Sequence, residues 1–265
     1  MRHTAPAALV ALSIALVSCF DSTNPVTQEQ TDESLAVFVV GAGIDPNAET
    51  SGGHTATPPA VTCSWNATTM WNTCTSTHNG LTMTRQMQFL NGAGVAQQRP
   101  DTSTRSMKAR STVTGTASIT SPHPGGPTGT TTVNRVSEET VTGLGPASTQ
   151  RVVNGTGSGT EDSQGTDARG TVAVRRQYAD TTKNMTLTSP PNPLSPWPLS
   201  GTVIRNIKAT VTMNGTTAKD YTSREEKTFE AGGKMTIKTT MNGQTRTCVV
   251  QMSTTTRPTP VCTQG

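Results

Sequence analysis

The sequence predicts an all-β fold, an antiparallel meander of strands joined by short turns, on three observations. From Pro59 onward apolar and polar residues alternate with period two, as on a pleated surface. Asn-Gly pairs recur between the alternating runs, and Asn-Gly supplies the positive φ angles of a type I′ hairpin turn. About one residue in five is threonine, whose branched side chain suits a sheet wet on one face. These observations leave three architectures open: an open curved sheet, a sandwich or a partly closed barrel, each with room for one short N-terminal helix.

The N-terminus precedes that domain and has its own chemistry. Arg2 and His3 are followed by an apolar stretch from Ala5 to Val17 that ends in small residues. A basic start, an apolar core of about 7–15 residues and a small-residue exit describe a secretory signal peptide. The run falls short of the about 20 apolar residues that a spanning helix needs. Leu16-Val17-Ser18-Cys19 resembles the lipobox of bacterial lipoproteins. The resemblance covers only the leader. It implies removal of residues 1–18, a diacylglycerol on the Cys19 sulfur and a further acyl chain, such as palmitate, on its new amino group. One acyl chain holds a protein only marginally, whereas two or more anchor it stably. Phe20 stands where an inner-membrane retention signal would place Asp, so the resemblance points to the outer membrane. The plainer reading is an ordinary signal peptide with an incidental cysteine.

Residues 19–58 read as a tether. Asp21, Glu29, Asp32, Glu33, Asp45 and Glu49 make it acidic, and it holds no Lys or Arg. The other 11 of the chain's 17 acids stand against 20 of its 21 bases, so the domain at 59–265 is basic. Such a domain is drawn towards anions, which makes an anionic envelope component a candidate partner. Nucleic acid is excluded as a partner, because an exported chain with 3% aromatics offers few rings for stacking. Within the tether, Ser34–Gly43 is apolar; a short helix packed on the sheet is expected there, with a buried strand as the rival.

The strands follow in order. "LTMTRQMQF" sets Leu81, Met83, Arg85, Met87 and Phe89 on one face, and "TVAVRRQY" groups Val172, Val174, Arg176 and Tyr178. "VIRNIKATVTM" groups Val203, Arg205, Ile207, Ala209, Val211 and Met213, and "KMTIKTTM" behaves alike. Asn79-Gly80, Asn214-Gly215 and Asn242-Gly243 sit between alternating flanks and predict hairpins. "NGTGSGTEDSQG", from Asn154, is glycine-rich and predicts a solvated hairpin end. The proline-rich "SPPNPLSPWPLSG", Ser189 to Gly201, excludes a central strand and predicts a rigid crossover that caps one end of the sheet with Trp197.

Four cysteines remain after Cys19: Cys63, Cys74, Cys248 and Cys262. An even number in an exported chain suggests two disulfides, with three connectivities open and the pairing of sequence neighbours the simplest. No Cys-x₂₋₄-Cys spacing supports zinc, and no cofactor or metal is expected. The Glu161, Asp162 and Asp167 carboxylates do not match a calcium-loop spacing. The histidines sit in turn-like surroundings, and His-Glu-x-x-His, Ser-x-x-Lys and Gly-x-Ser-x-Gly are missing, so no catalytic residue is expected.

Arginine on apolar faces is the remaining signal. Arg85, Arg176 and Arg205 must each be paired, snorkelling or turned to a wet cavity. If they converge, they make a site for an anionic ligand; otherwise acids such as Glu138 or Glu230 pair with them. The expectation is a non-enzymatic, lipid-anchored envelope protein whose β domain is a scaffold or binding module. The alternative is a carrier holding a lipid or other apolar ligand in a half-barrel.

Overall fold

The computed structural model describes residues 62–120, 128–167, 170–189, 197–252 and 260–264, all within a compact unit spanning Pro59–Gly265. The expectations for the leader, Cys19, the tether and the 34–43 segment lie outside the described residues.

Thirteen strands form one antiparallel sheet. They are β1 (Thr62–Asn66), β2 (Trp71–His78), β3 (Leu81–Asn91), β4 (Ala96–Gln97), β5 (Thr104–Thr120), β6 (Thr128–Thr142) and β7 (Gln150–Asp167). β8 (Gly170–Thr188), β9 (Ser200–Met213), β10 (Thr216–Glu230), β11 (Lys234–Met241), β12 (Gln244–Gln251) and β13 (Val261–Gln264) complete it. Each strand pairs with its neighbours in sequence, except that the short β4 pairs only with β3 and leaves β3 to pair with β5. Among the described residues β1 pairs only with β2, and β13 only with β12. The path is therefore open: one antiparallel meander sheet, not closed into a barrel.

The three predicted hairpins form where Asn-Gly stands. Asn79 and Gly80 have φ of 48° and 79°, Asn214 and Gly215 of 50° and 71°, and Asn242 and Gly243 of 47° and 86°. Two other Asn-Gly pairs do something else. Asn91 ends β3, and its Oδ1 accepts hydrogen bonds from the backbone N–H of Ala93 and Val95. Asn154-Gly155 lies inside β7, where Asn154 Oδ1 accepts the N–H of Asn184 at a bulge in β8.

The glycine-rich stretch corrects the sequence reading. "NGTGSGTEDSQGTD" is not a hairpin end but part of β7, an 18-residue strand in the middle of the sheet. Its period two is intact: Gly155, Gly157 and Gly159 occupy one face, while Thr156, Ser158 and Thr160 occupy the other.

The register carries that face across the whole sheet. Val113, Val133, Val174, Ala209, Val211, Met235, Ile237 and Val250 all lie on it, and all are buried. The opposite face is dominated by Thr, Ser and charged residues, with cross-strand pairs such as Thr116–Thr132 at 2.9 Å. The buried apolar residues of these strands gather on this one face, and the core sits there.

Both ends of the path are closed covalently. Cys63 and Cys74 stand directly opposite each other on β1 and β2 and are bonded, as are Cys248 and Cys262 on β12 and β13. Neighbours in sequence are thus the pairs. At the far end of the sheet Trp197, leaving the proline-rich segment, packs over Gly233 in the 3-10 turn Ala231–Gly233 between β10 and β11. The prolines at 190–196 lie outside the described residues.

Candidate functional site: a charged row on the inner face

The inner face is layered along the strand direction. Towards the β9–β10 hairpin end, Ala117, Thr131, Ser163, Val174 and Val211 stand in one register row, and every one is buried. Towards the opposite end Val141, Met185, Phe229, Met235 and Val250 form a second buried layer. Between the two runs a polar row. Arg85, Ser111, Ser137 and Gly157 are directly opposite one another on β3, β5, β6 and β7. Asp180, Arg205 and Glu225 continue the row on β8, β9 and β10, and Thr239 and Arg246 extend it to β12. None of these nine residues is buried. A polar row between two dry layers keeps its side chains in reach of solvent.

The three arginines singled out by the sequence fall into two kinds. Arg176 pairs with Glu161, its cross-strand neighbour on β7; their side chains are 14% and 8% exposed. The pair sits in register between Val133 and Ala209, both buried. Arg205 donates from Nε and Nη2 to the two carboxylate oxygens of its neighbour Asp180, at 3.0 and 3.3 Å. Such a fork is the geometry that a guanidinium and a carboxylate match best. On β10, Lys227 likewise meets Glu225 at 2.8 Å. Arg85 is the exception. It is exposed on β3, three strand spacings from β7, and has no carboxylate oxygen within 4.0 Å among the described residues. The three do not converge on one point, and Glu138 and Glu230 pair elsewhere, with Arg110 and Lys234.

A fourth arginine, Arg135 on β6, belongs to the face. Its guanidinium lies 4.6 Å from the centroid of the Tyr178 ring, a cation–π contact reached across Gly159. Tyr178 is 9% exposed, and its hydroxyl is buried without a hydrogen-bond partner among the described residues. Burial pushes its phenol above the ordinary 10.0; Arg135 and Arg176 pull it back, while Asp180 and Glu161 add to the rise. Sequence alternation alone could have found Arg135, since Val133, Arg135 and Ser137 share a face in "VNRVS".

The arrangement pairs opposite charges on neighbouring strands. Its strongest groups neutralise one another in neighbouring pairs, and among the described residues no group of three or more His, Cys, Asp or Glu is placed to hold a metal ion. No protein-family model, no curated protein and no solved structure matches the chain.

Proposed function

We propose that the chain is a bacterial envelope lipoprotein, held at the outer membrane by lipid on Cys19, whose antiparallel sheet is a non-enzymatic scaffold or binding module. The observation that carries this reading is the pair of disulfides at the two ends of the sheet. Such bonds persist in oxidising compartments such as the periplasm or cell surface, which agrees with an exported, lipidated chain. The leader and the Leu16-Val17-Ser18-Cys19 motif supply the address. The acidic tether, repelled by an anionic bilayer, stands the basic domain away from the surface.

The experiment is intact mass of the chain extracted from membranes. A mature chain that begins at Cys19 and carries acyl mass is the expected result. Cys19→Ala should move the protein to the soluble envelope fraction. A chain that begins at Cys19 with no added mass would refute the anchor.

The carrier reading is favoured in one respect, the unburied row on the inner face. Its Arg and Asp side chains suit a polar or charged ligand and oppose a wholly apolar one.

A further inference from the structure

The geometry points to an oxyanion site on the inner face of β3, β5 and β6, where Arg85, Ser111, Ser137 and Arg135 bind a phosphoryl group of a small ligand. The inference extends the binding-module reading by naming the ligand chemistry, and it does not depend on lipidation. Four observations carry it.

Arg85, Ser111 and Ser137 are consecutive members of one register row, so their side chains leave the same face on three neighbouring strands, about 4.8 Å apart. Arg135 precedes Ser137 by two residues and stands on that face as well. Neither guanidinium has a carboxylate within 4.0 Å among the described residues, in contrast to Arg176 and Arg205 on the same face. Arg135 instead rests on the Tyr178 ring, which orients it without neutralising it.

The hydroxyls of Ser111 and Ser137 bond to no described residue, and neither residue is fully buried. The row then continues to Gly157, which leaves the ground beside Ser137 free of a side chain. The acid across Gly157, Asp180, is already held by Arg205. Tyr178 adds a buried hydroxyl on the same face, unpartnered among the described residues. Glu139, exposed two residues from Ser137, is the one nearby carboxylate that opposes an anion. Arg85 and the two hydroxyls offer donors to a tetrahedral oxyanion, and Arg135, held over Gly159 towards Tyr178, adds positive charge beside them.

The test is calorimetric titration of the purified full chain with inorganic phosphate at low ionic strength. Saturable binding at one site is expected, weakening as salt is raised. Arg85→Gln and Arg135→Gln should each lower affinity about tenfold, the loss of a charge-assisted hydrogen bond. Ser111→Ala with Ser137→Ala should weaken binding several-fold while leaving the melting temperature unchanged, so folding does not confound the result. Lys208→Gln, on the exposed outer face, should bind as the parent does. Short-chain phosphatidylglycerol as competitor separates the sources. Displacement stronger than by inorganic phosphate assigns a lipid headgroup, and weaker displacement assigns a free or sugar-borne phosphate. Absence of saturable binding, or serine variants that bind like the parent, would overturn the site.

Discussion

The guanidinium of Arg135 and the ring of Tyr178 meet at 4.6 Å over Gly159, which stands directly between them in register. The contact exists because β7 contributes no side chain at that point. A Cβ at Gly159 would run into Tyr178 Oη and the Asn134 carbonyl oxygen. Two residues away, a Cβ at Gly157 would meet nothing closer than 3.6 Å. Gly159→Ala should therefore cost about 1–3 kcal/mol through overpacking. Gly157→Ala should be neutral or stabilise by up to about 1 kcal/mol, because it narrows the unfolded ensemble. Urea denaturation of both variants checks the contrast, and equal losses would contradict the stated geometry.

The Glu161–Arg176 pair is buried between apolar neighbours, so removing one partner should be worse than removing both. Arg176→Met alone leaves the buried Glu161 carboxylate without its guanidinium and should cost about 3–5 kcal/mol, and Glu161→Gln should cost less. Glu161→Leu combined with Arg176→Met should recover most of that loss. A double-mutant cycle by chemical unfolding measures the coupling.

The disulfides hold the two shortest terminal strands. β13 pairs with β12 through four residues, and β1 with β2 through five. The bonds close separations of 11 and 14 residues, each worth about 3 kcal/mol in the chain-entropy picture. Cys248→Ala with Cys262→Ala should release β13 and expose the outward amides of β12 to hydrogen exchange, leaving β5–β9 protected. Cys63→Ala with Cys74→Ala should do the same to β1 and β2. Exchange followed by mass spectrometry separates these local effects from global unfolding.

Tyr178 and Tyr221 are the only two tyrosines, so Tyr221→Phe isolates one phenol for titration. Ultraviolet absorbance should then show Tyr178 ionising above 10.0, because burial raises it. A folded-state pKa above the unfolded value contributes stability that is fully present below the unfolded pKa. That stability is lost as pH rises through the folded pKa. Alkaline destabilisation should accordingly be shallower in Tyr178→Phe, as equilibrium unfolding at graded pH will show.

Much of this structure was legible in the residue order, for reasons specific to each part. Asn79-Gly80, Asn214-Gly215 and Asn242-Gly243 turn because their flanks alternate and their φ angles are positive. The inner faces of β3, β8, β9 and β11 follow from counting by two. β7 was not legible as a strand because glycine marks turns far more often than strands, and here its alternation is an absence of side chains. The partners of Arg176 and Arg205 were hidden for a related reason. Glu161 belongs to that same stretch, and Asp180 is brought to Arg205 only by the β8–β9 register. Arg135 obeys the rule that selects Arg85, but its pairing with an aromatic depends on what β7 omits.

Apart from β4, every strand bonds only to strands adjacent in the chain. A polypeptide threaded outward from its N-terminus can therefore assemble as it emerges, each new segment finding its template already in place. The Cys63–Cys74 staple joins β1 to β2, so it can close before β3 to β13 have formed. No segment waits, half-made and sticky, for a distant partner. For a sheet with so many edges to mispair, that order of arrival is itself a safeguard against aggregation.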